Sequence, residues 1–277
     1  MLKIDSHQHF WKYDDSMADW ITDDMSVLRR DFMPEDLAPI LEKSDIDGCV
    51  VVQVNQNKQE NAFQLENATG NDFVKGVVGW VDLQAIDIND QLQELSIHQK
   101  LKGFRHILQG EKDRALMLSP AFLNGIKALS AYHFSYDILI YPDQLKYIPE
   151  LVRQFPNQRF VIDHLAKPNI KAGDISDWAN DIQALKGFDN LYCKVSGMIT
   201  EADWEGWKVE DFNPYLDIAY DTFGSGKLMF GSDWPVCLVA GEYKAVVSLA
   251  QDYVSKLSAH EQSLFWGGNA IDFYKLN

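Results

Sequence analysis

The feature that most limits how this chain can fold is an eightfold alternation of two kinds of segment. Short runs rich in Val, Ile and Leu recur at 3–9, 48–54, 74–81, 101–107, 134–140, 159–164, 191–196 and 227–233, each the length of a buried strand. Amphipathic stretches of helical period follow them at 34–43, 59–69, 89–99, 121–132, 144–154, 177–185, 211–223 and 242–256, the second being the weakest. Strand and helix in alternation imply parallel strands joined by helical crossovers. Eight such units in 277 residues predict an α/β chain folded as one (β/α)8 TIM barrel over 1–277. An open doubly wound sheet is the competing architecture, but no G-x-G-x-x-G follows any of the strands.

At 46% hydrophobic the chain can build a sizeable core, and its net charge of -16 argues against nucleic acid or an anionic membrane as partner, since either calls for a basic patch. Cys49, Cys193 and Cys237 are odd in number and far apart, which suits a reducing compartment rather than a disulfide framework. The first residues carry no apolar leader, and no later run approaches the ~20 apolar residues of a membrane span. A cytoplasmic protein is expected, with a homodimer as the default assembly.

In such a barrel the chemistry sits at the C-terminal ends of the strands. Those ends are polar here: His7 and His9, Arg105 and His106, Asp163 and His164, Lys194 and Ser196, Ser232 and Asp233, with four of the seven histidines among them. Side chains two apart on a strand share a face, so His7 and His9 form a pair that can clamp a divalent metal or hold a substrate carbonyl. Parity turns Lys194 and Ser196 inward and leaves the strand ends at Arg105/His106 and Asp163/His164 undecided. Trp11 and Trp234 adjoin these ends and are expected to wall a substrate pocket, with Gln53, Lys167 and Lys194 as polar partners. Cys237 has no histidine base near it in sequence and is expected to be a buried thiol.

Asp5-Ser6-His7-Gln8-His9, Ile162-Asp163-His164 and Phe230-Gly231-Ser232-Asp233-Trp234-Pro235 together resemble the amidohydrolase superfamily. Gly267-Gly268-Asn269-Ala270 resembles the end of its "amidohydrolase 2" branch. Leu28-Arg29-Arg30-Asp31-Phe32, Gly103 to Gln109, Asp163 to Pro168 and Lys194-Val195-Ser196-Gly197 are similar to L-fuconolactone and L-rhamnonolactone hydrolases. The resemblance implies a sugar-lactone hydrolase. It departs from binuclear amidohydrolases, which place a bridging lysine or glutamate on strand 4 and a histidine on strand 5. Here those strands offer Arg105-His106 and Tyr136-Asp137, so a two-metal site is not expected.

Opening a lactone needs a polarised carbonyl, an activated water and a proton for the departing oxygen. Asp233 is expected to take the proton from water. His7, His9, His164 and Arg105 surround the carbonyl, and His164 is favoured as the proton donor. No cofactor is strictly required. A single zinc is an alternative, held by His7, His9 and Asp233, with Glu201 as the further ligand that the resemblance suggests. Competing readings are a zinc-dependent decarboxylase of the same branch, a 2-pyrone-type dicarboxylate lactonase and a catalytically inert binding barrel.

Overall fold

The computed structural model describes residues 1–14 and 20–276. Its eight strands are β1 (Ile4–Gln8), β2 (Gly48–Val52), β3 (Val74–Gly79), β4 (Leu101–Ile107), β5 (Ser135–Leu139), β6 (Phe160–Ile162), β7 (Leu191–Val195) and β8 (Leu228–Phe230). They pair in chain order, every pair parallel. The ring closes between its first and last strands: the Asp233 amide donates to His7 O at 2.8 Å and the His9 amide to Trp234 O at 2.7 Å. This is the (β/α)8 barrel that the alternation predicts.

The helices of the outer ring are α1 (Pro34–Lys43), α2 (Lys58–Gly70), α3 (Ile88–Leu95), α4 (Pro120–Ala131), α5 (Ile148–Gln154), α6 (Ser176–Gln183), α7 (Val209–Phe223) and α8 (Tyr243–Val254). The weak stripe of α2 has a physical reason. Its inner face is polar, and Glu60, Asn61 and Gln64 are buried yet partnered. Glu60 accepts from the Val54 amide at 2.9 Å, Gln64 donates to Phe10 O at 2.8 Å, and Asn61 exchanges two bonds with the Trp80 backbone. Hydrogen bonds do there what apolar burial does for the other helices. The Asn57 side chain caps the helix by accepting from the Glu60 amide at 3.0 Å.

Strands β6 and β8 stop at Ile162 and Phe230, short of the 164 and 233 expected from apolar pattern. The cause is backbone conformation. His164, Leu165, Ala166 and Lys167 have φ of 54, 51, 58 and 52°, and Asp233 has φ 58°. Left-handed residues cannot continue a strand and cost about 1–2 kcal/mol each outside glycine. Surrounding structure holds the first of these turns, with Trp178 Nε1 donating to Leu165 O at 2.8 Å.

Alternate residues of the strands feed two apolar regions. One lies between sheet and helices, and it holds Cys49, Val51, Val77, Leu191 and Cys193. The other fills the barrel interior with Ile4, Val50, Val52, Val78, Val161 and Met229. Two further short helices, α9 (Ala259–Ser263) and α10 (Asn269–Tyr274), follow α8, and α10 packs Ala270, Phe273 and Tyr274 against this second cluster. It closes the end of the barrel opposite the catalytic strand ends: Lys102, at the start of β4, donates to Lys275 O at 3.1 Å.

Candidate active site

The strand ends gather His7, His9, Arg105, Asp163, His164 and Asp233 in one buried cluster. The two alternatives left open by parity resolve differently. On β4, Arg105 points into the barrel, while His106 turns to the helices, meeting the Phe122 ring and bonding Glu111 at 2.8 Å. After β6 both residues point inward, because the left-handed turn that begins at His164 reverses the usual alternation.

Partners assign the imidazole protons. His9 Nδ1 lies 2.7 Å from Val52 O, a carbonyl that can only accept, so Nδ1 carries the proton and Nε2 is bare. His7 Nε2 lies 3.2 Å from Arg105 Nη1, a guanidinium that can only donate, so this nitrogen is bare as well. The His7 proton then sits on Nδ1, with Asp163 Oδ1 at 3.2 Å. The bare Nε2 atoms are 3.2 Å apart, and Asp233 Oδ1 lies 3.3 Å from His9 Nε2 and 3.9 Å from His7 Nε2. His164 Nε2 is 3.9 Å from the same oxygen, and its Nδ1 pairs with Ser196 Oγ at 2.8 Å.

Lone pairs that converge in this way repel unless a proton or a cation lies among them. A tetrahedral zinc with bonds near 2.1 Å sets its ligand atoms about 3.4 Å apart, close to the spacings found. Among the described residues His7, His164 and Asp233 each offer a ligand atom, all within 4.8 Å of one another. This His-His-Asp cluster can coordinate a divalent metal. Glu201 stands outside that group and pairs with Lys167 at 3.5 Å.

Electrostatics keep the cluster poised at neutral pH. Burial alone would raise the Asp233 carboxyl, but the neighbouring His164 and His9 rings outweigh it and hold it below its ordinary value, hence ionised. Burial pushes the imidazoles of His7 and His164 well below the usual histidine range, so both are neutral. Beneath them, Asp163 is buried too, yet Lys194, His7 and Arg105 hold it well below an ordinary carboxylic acid.

The sequence reading missed the residues that fasten this arrangement. Asp5 is fully buried and accepts from Ser232 Oγ at 2.5 Å, the Ser232 amide at 2.9 Å, Tyr243 OH at 3.0 Å and the His7 amide at 3.1 Å. It ties the end of β8 to β1 and so sets Asp233 against the histidines; burial pushes its carboxyl up to about 6. Its placement one residue after Ile4, on the same strand as His7, was the available signal.

Two expected substrate contacts are corrected. Lys194 is fully buried below His7, where Nζ meets Asp137 Oδ2 at 2.6 Å and Asp163 Oδ1 at 2.9 Å. Trp234 is 1% exposed and packs edge-on against Phe10 and Phe32, so its ring belongs to the core. Trp11 instead lines a shallow cleft with Tyr13, Trp20, Val54 and Asn55, where Trp11 and Val54 lie two residues along the chain from His9 and from the Val52 carbonyl that holds it, respectively. Cys237 is a buried thiol with its pKa pushed well up by burial, no nucleophile.

Gly197, two residues beyond β7, has φ 62°, and a Cβ there would come 2.6 Å from His164 Nδ1 and 3.2 Å from Asp233 Oδ2. Gly197→Ala is therefore expected to lower kcat at least about tenfold by displacing both groups, since small misplacements of catalytic groups cost up to 10²-fold. Steady-state rates of the folded variant check this.

A parallel barrel whose strand ends gather three histidines, two aspartates and an arginine in this way is a hydrolytic enzyme. A family model described as Amidohydrolase matches residues 4–276, and the chain belongs to that family. It is 39% identical to an L-fucono-1,5-lactonase of Burkholderia multivorans, over 99% of this chain and 96% of that one. It is 34% identical to an L-fucono-1,5-lactonase of Burkholderia ambifaria, over 100% and 96%. The crystal structure of an amidohydrolase from Burkholderia multivorans with bound zinc superimposes with a TM-score of 0.96 at 38% identity, covering both chains completely.

Proposed function

We propose that the protein hydrolyses a sugar lactone to its aldonic acid, with L-fucono-1,5-lactone as the first candidate substrate and L-rhamnonolactone as its near relative. The observation that carries this is the ionised Asp233 set 3.3 Å from His9 Nε2, with Arg105 beside His7, in a chain 39% identical to an L-fucono-1,5-lactonase. Asp233 takes a proton from water as the oxygen attacks the lactone carbonyl. The Arg105 guanidinium, held beside His7, faces the developing oxyanion, where a fixed cation in a buried setting acts strongly. His164 takes that proton from Asp233, whose Oδ1 lies 3.9 Å from its Nε2, and passes it to the departing ring oxygen. The aldonic acid then ionises, releasing one proton per turnover. A divalent metal held by His7, His164 and Asp233, with His9 adjoining, would supply Lewis-acid polarisation and a more acidic water. Arg105 already places a positive charge beside His7, which supports turnover without that metal.

Buried, unpaired thiols at Cys49, Cys193 and Cys237 support a reducing cytoplasm, and no described helix is long and apolar enough to cross a membrane. The test is a pH-indicator assay on a panel of L- and D-sugar lactones, with and without a chelator. Turnover on L-fuconolactone or a stereochemical relative is expected in both arms. Turnover lost on chelation would make the metal essential. Silence on every lactone, with CO2 released from an unsaturated carboxylic acid, would replace the reading by decarboxylation.

The pH profile follows from the shifts. An ordinary histidine loses its neutral form as pH falls through about 6.5. Here burial holds His7 and His164 neutral to lower pH and Asp233 stays ionised below its ordinary value, so the competent state persists as pH falls through that point. In chelated enzyme kcat/KM is expected to stay level from about pH 7 to about 6 and to decline only below. An inflection near 6.5 would show these imidazoles to be solvated.

A further inference from the structure

A column of buried polar groups runs from the closed end of the barrel to the catalytic end. Tyr274 OH, on α10, donates to Asp137 Oδ2 at 2.6 Å. The same oxygen accepts from Lys194 Nζ at 2.6 Å, and Lys194 Nζ lies 2.9 Å from Asp163 Oδ1 and 3.1 Å from His7 Nδ1. Asp137, Asp163, Lys194 and His7 are all 0% exposed. With Arg105 the column holds two carboxylates and two fixed cations, so its charge balances without a proton taken up or released. The reaction needs none of Asp137, Lys194 or Tyr274 to touch substrate. Their cost in desolvation is nevertheless large, and packed apolar residues would fill the same space more cheaply.

We propose that Asp137 and Lys194 are positioning residues that hold the His7 ring through Asp163, and that Tyr274 extends this hold to the C-terminal helix. Lys194 cannot accept a proton, so its approach to Nδ1 is tolerated only because Asp163 Oδ1 lies beside both atoms. Its ammonium, 2.9 Å from that oxygen and 3.1 Å from Nδ1, holds the carboxylate against the His7 ring. The bare Nε2 is thereby aimed at the cluster with His9 and Asp233. Tyr274 fixes the far oxygen of the chain of bonds, so that Asp137 cannot follow Lys194 toward Asp163. The role in the rate rests on the hydrolytic reading of the site, whereas the role in ring position does not.

The test is the charge-balanced double variant Asp137→Leu/Lys194→Met, alongside Tyr274→Phe. Removing the ion pair as a unit avoids a stranded charge, and buried pairs replaced in this way commonly keep their fold. Zinc affinity of the metal-free protein, read by chelator competition without substrate, is expected to weaken about 10–100-fold in the double variant, as when an outer partner of a ligand histidine is lost. Its kcat on L-fuconolactone should fall by a similar factor with KM within about threefold. Tyr274→Phe should lower kcat about three- to tenfold. A folded double variant with zinc affinity and kcat both within about threefold of the parent would overturn the proposal. If the double variant does not fold, Tyr274→Phe decides: a lowered melting temperature with unchanged kcat below it shows a structural role only and overturns it. Weakened zinc affinity in a chain with no lactone turnover in the parent would sustain the positioning role while the lactonase reading fails.

Discussion

Replacing Asp233 by asparagine is expected to lower kcat on L-fucono-1,5-lactone by about 10³-fold, near the middle of what a positioned general base contributes. Asparagine has the same shape and tolerates the left-handed conformation at φ 58°, and the backbone bond from residue 233 to His7 O is kept. Its amide oxygen cannot take a proton from water. The ionised state of Asp233 is maintained by His164 and His9, so the substitution also removes the charge that draws those rings together. Fold and melting temperature should be close to the parent's, which makes rate the informative quantity. A variant with more than about a tenth of parental kcat would place the base elsewhere.

Arg105→Met is expected to act on rate and stability together. Arg105 is 4% exposed, and its guanidinium donates to Gln53 O at 2.5 Å, Asp163 Oδ2 at 3.1 Å and His7 Nε2 at 3.2 Å. Without it, Asp137 and Asp163 share the single cation of Lys194. Breaking a buried pair by removing one partner costs about 3–5 kcal/mol, which should lower the melting temperature by roughly 10 °C in a chain of this size. Loss of the fixed positive charge beside the carbonyl should lower kcat by about 10²–10³-fold. Arg105→Lys should lie between, since an ammonium keeps the charge but cannot reach three acceptors as a planar fork does. Parental kcat in Arg105→Met, measured where the variant is folded, would remove Arg105 from the mechanism.

Much of this site was legible along the chain because function in a barrel collects at strand ends. The run of β7 placed Lys194 inward by alternation alone, and His7 and His9 declared themselves as a same-face pair. Alternation could not tell how deep an inward residue lies. Lys194 points inward but ends below His7, bound to Asp137 on a different strand, where no substrate reaches it. Trp234 follows Asp233 directly, yet the left-handed turn at Asp233 sends its ring into the core beside Phe10 and Phe32. The strand end at Asp163/His164 could not be decided by a period of two, since four left-handed residues suspend that period.

The sequence by itself determined the barrel, the end of it that carries the chemistry, and the residue types gathered there. Apolar periodicity is a local property, and eight repeats of it leave few ways to bury the strands. Tertiary structure alone decided which nitrogen of His7 and His9 is bare, that His164 joins the cluster, and that Asp5 ties the end of β8 to β1. Those outcomes depend on contacts between segments up to 238 residues apart, as from Tyr243 to Asp5, where distance and desolvation rather than neighbouring sequence set the proton and the charge.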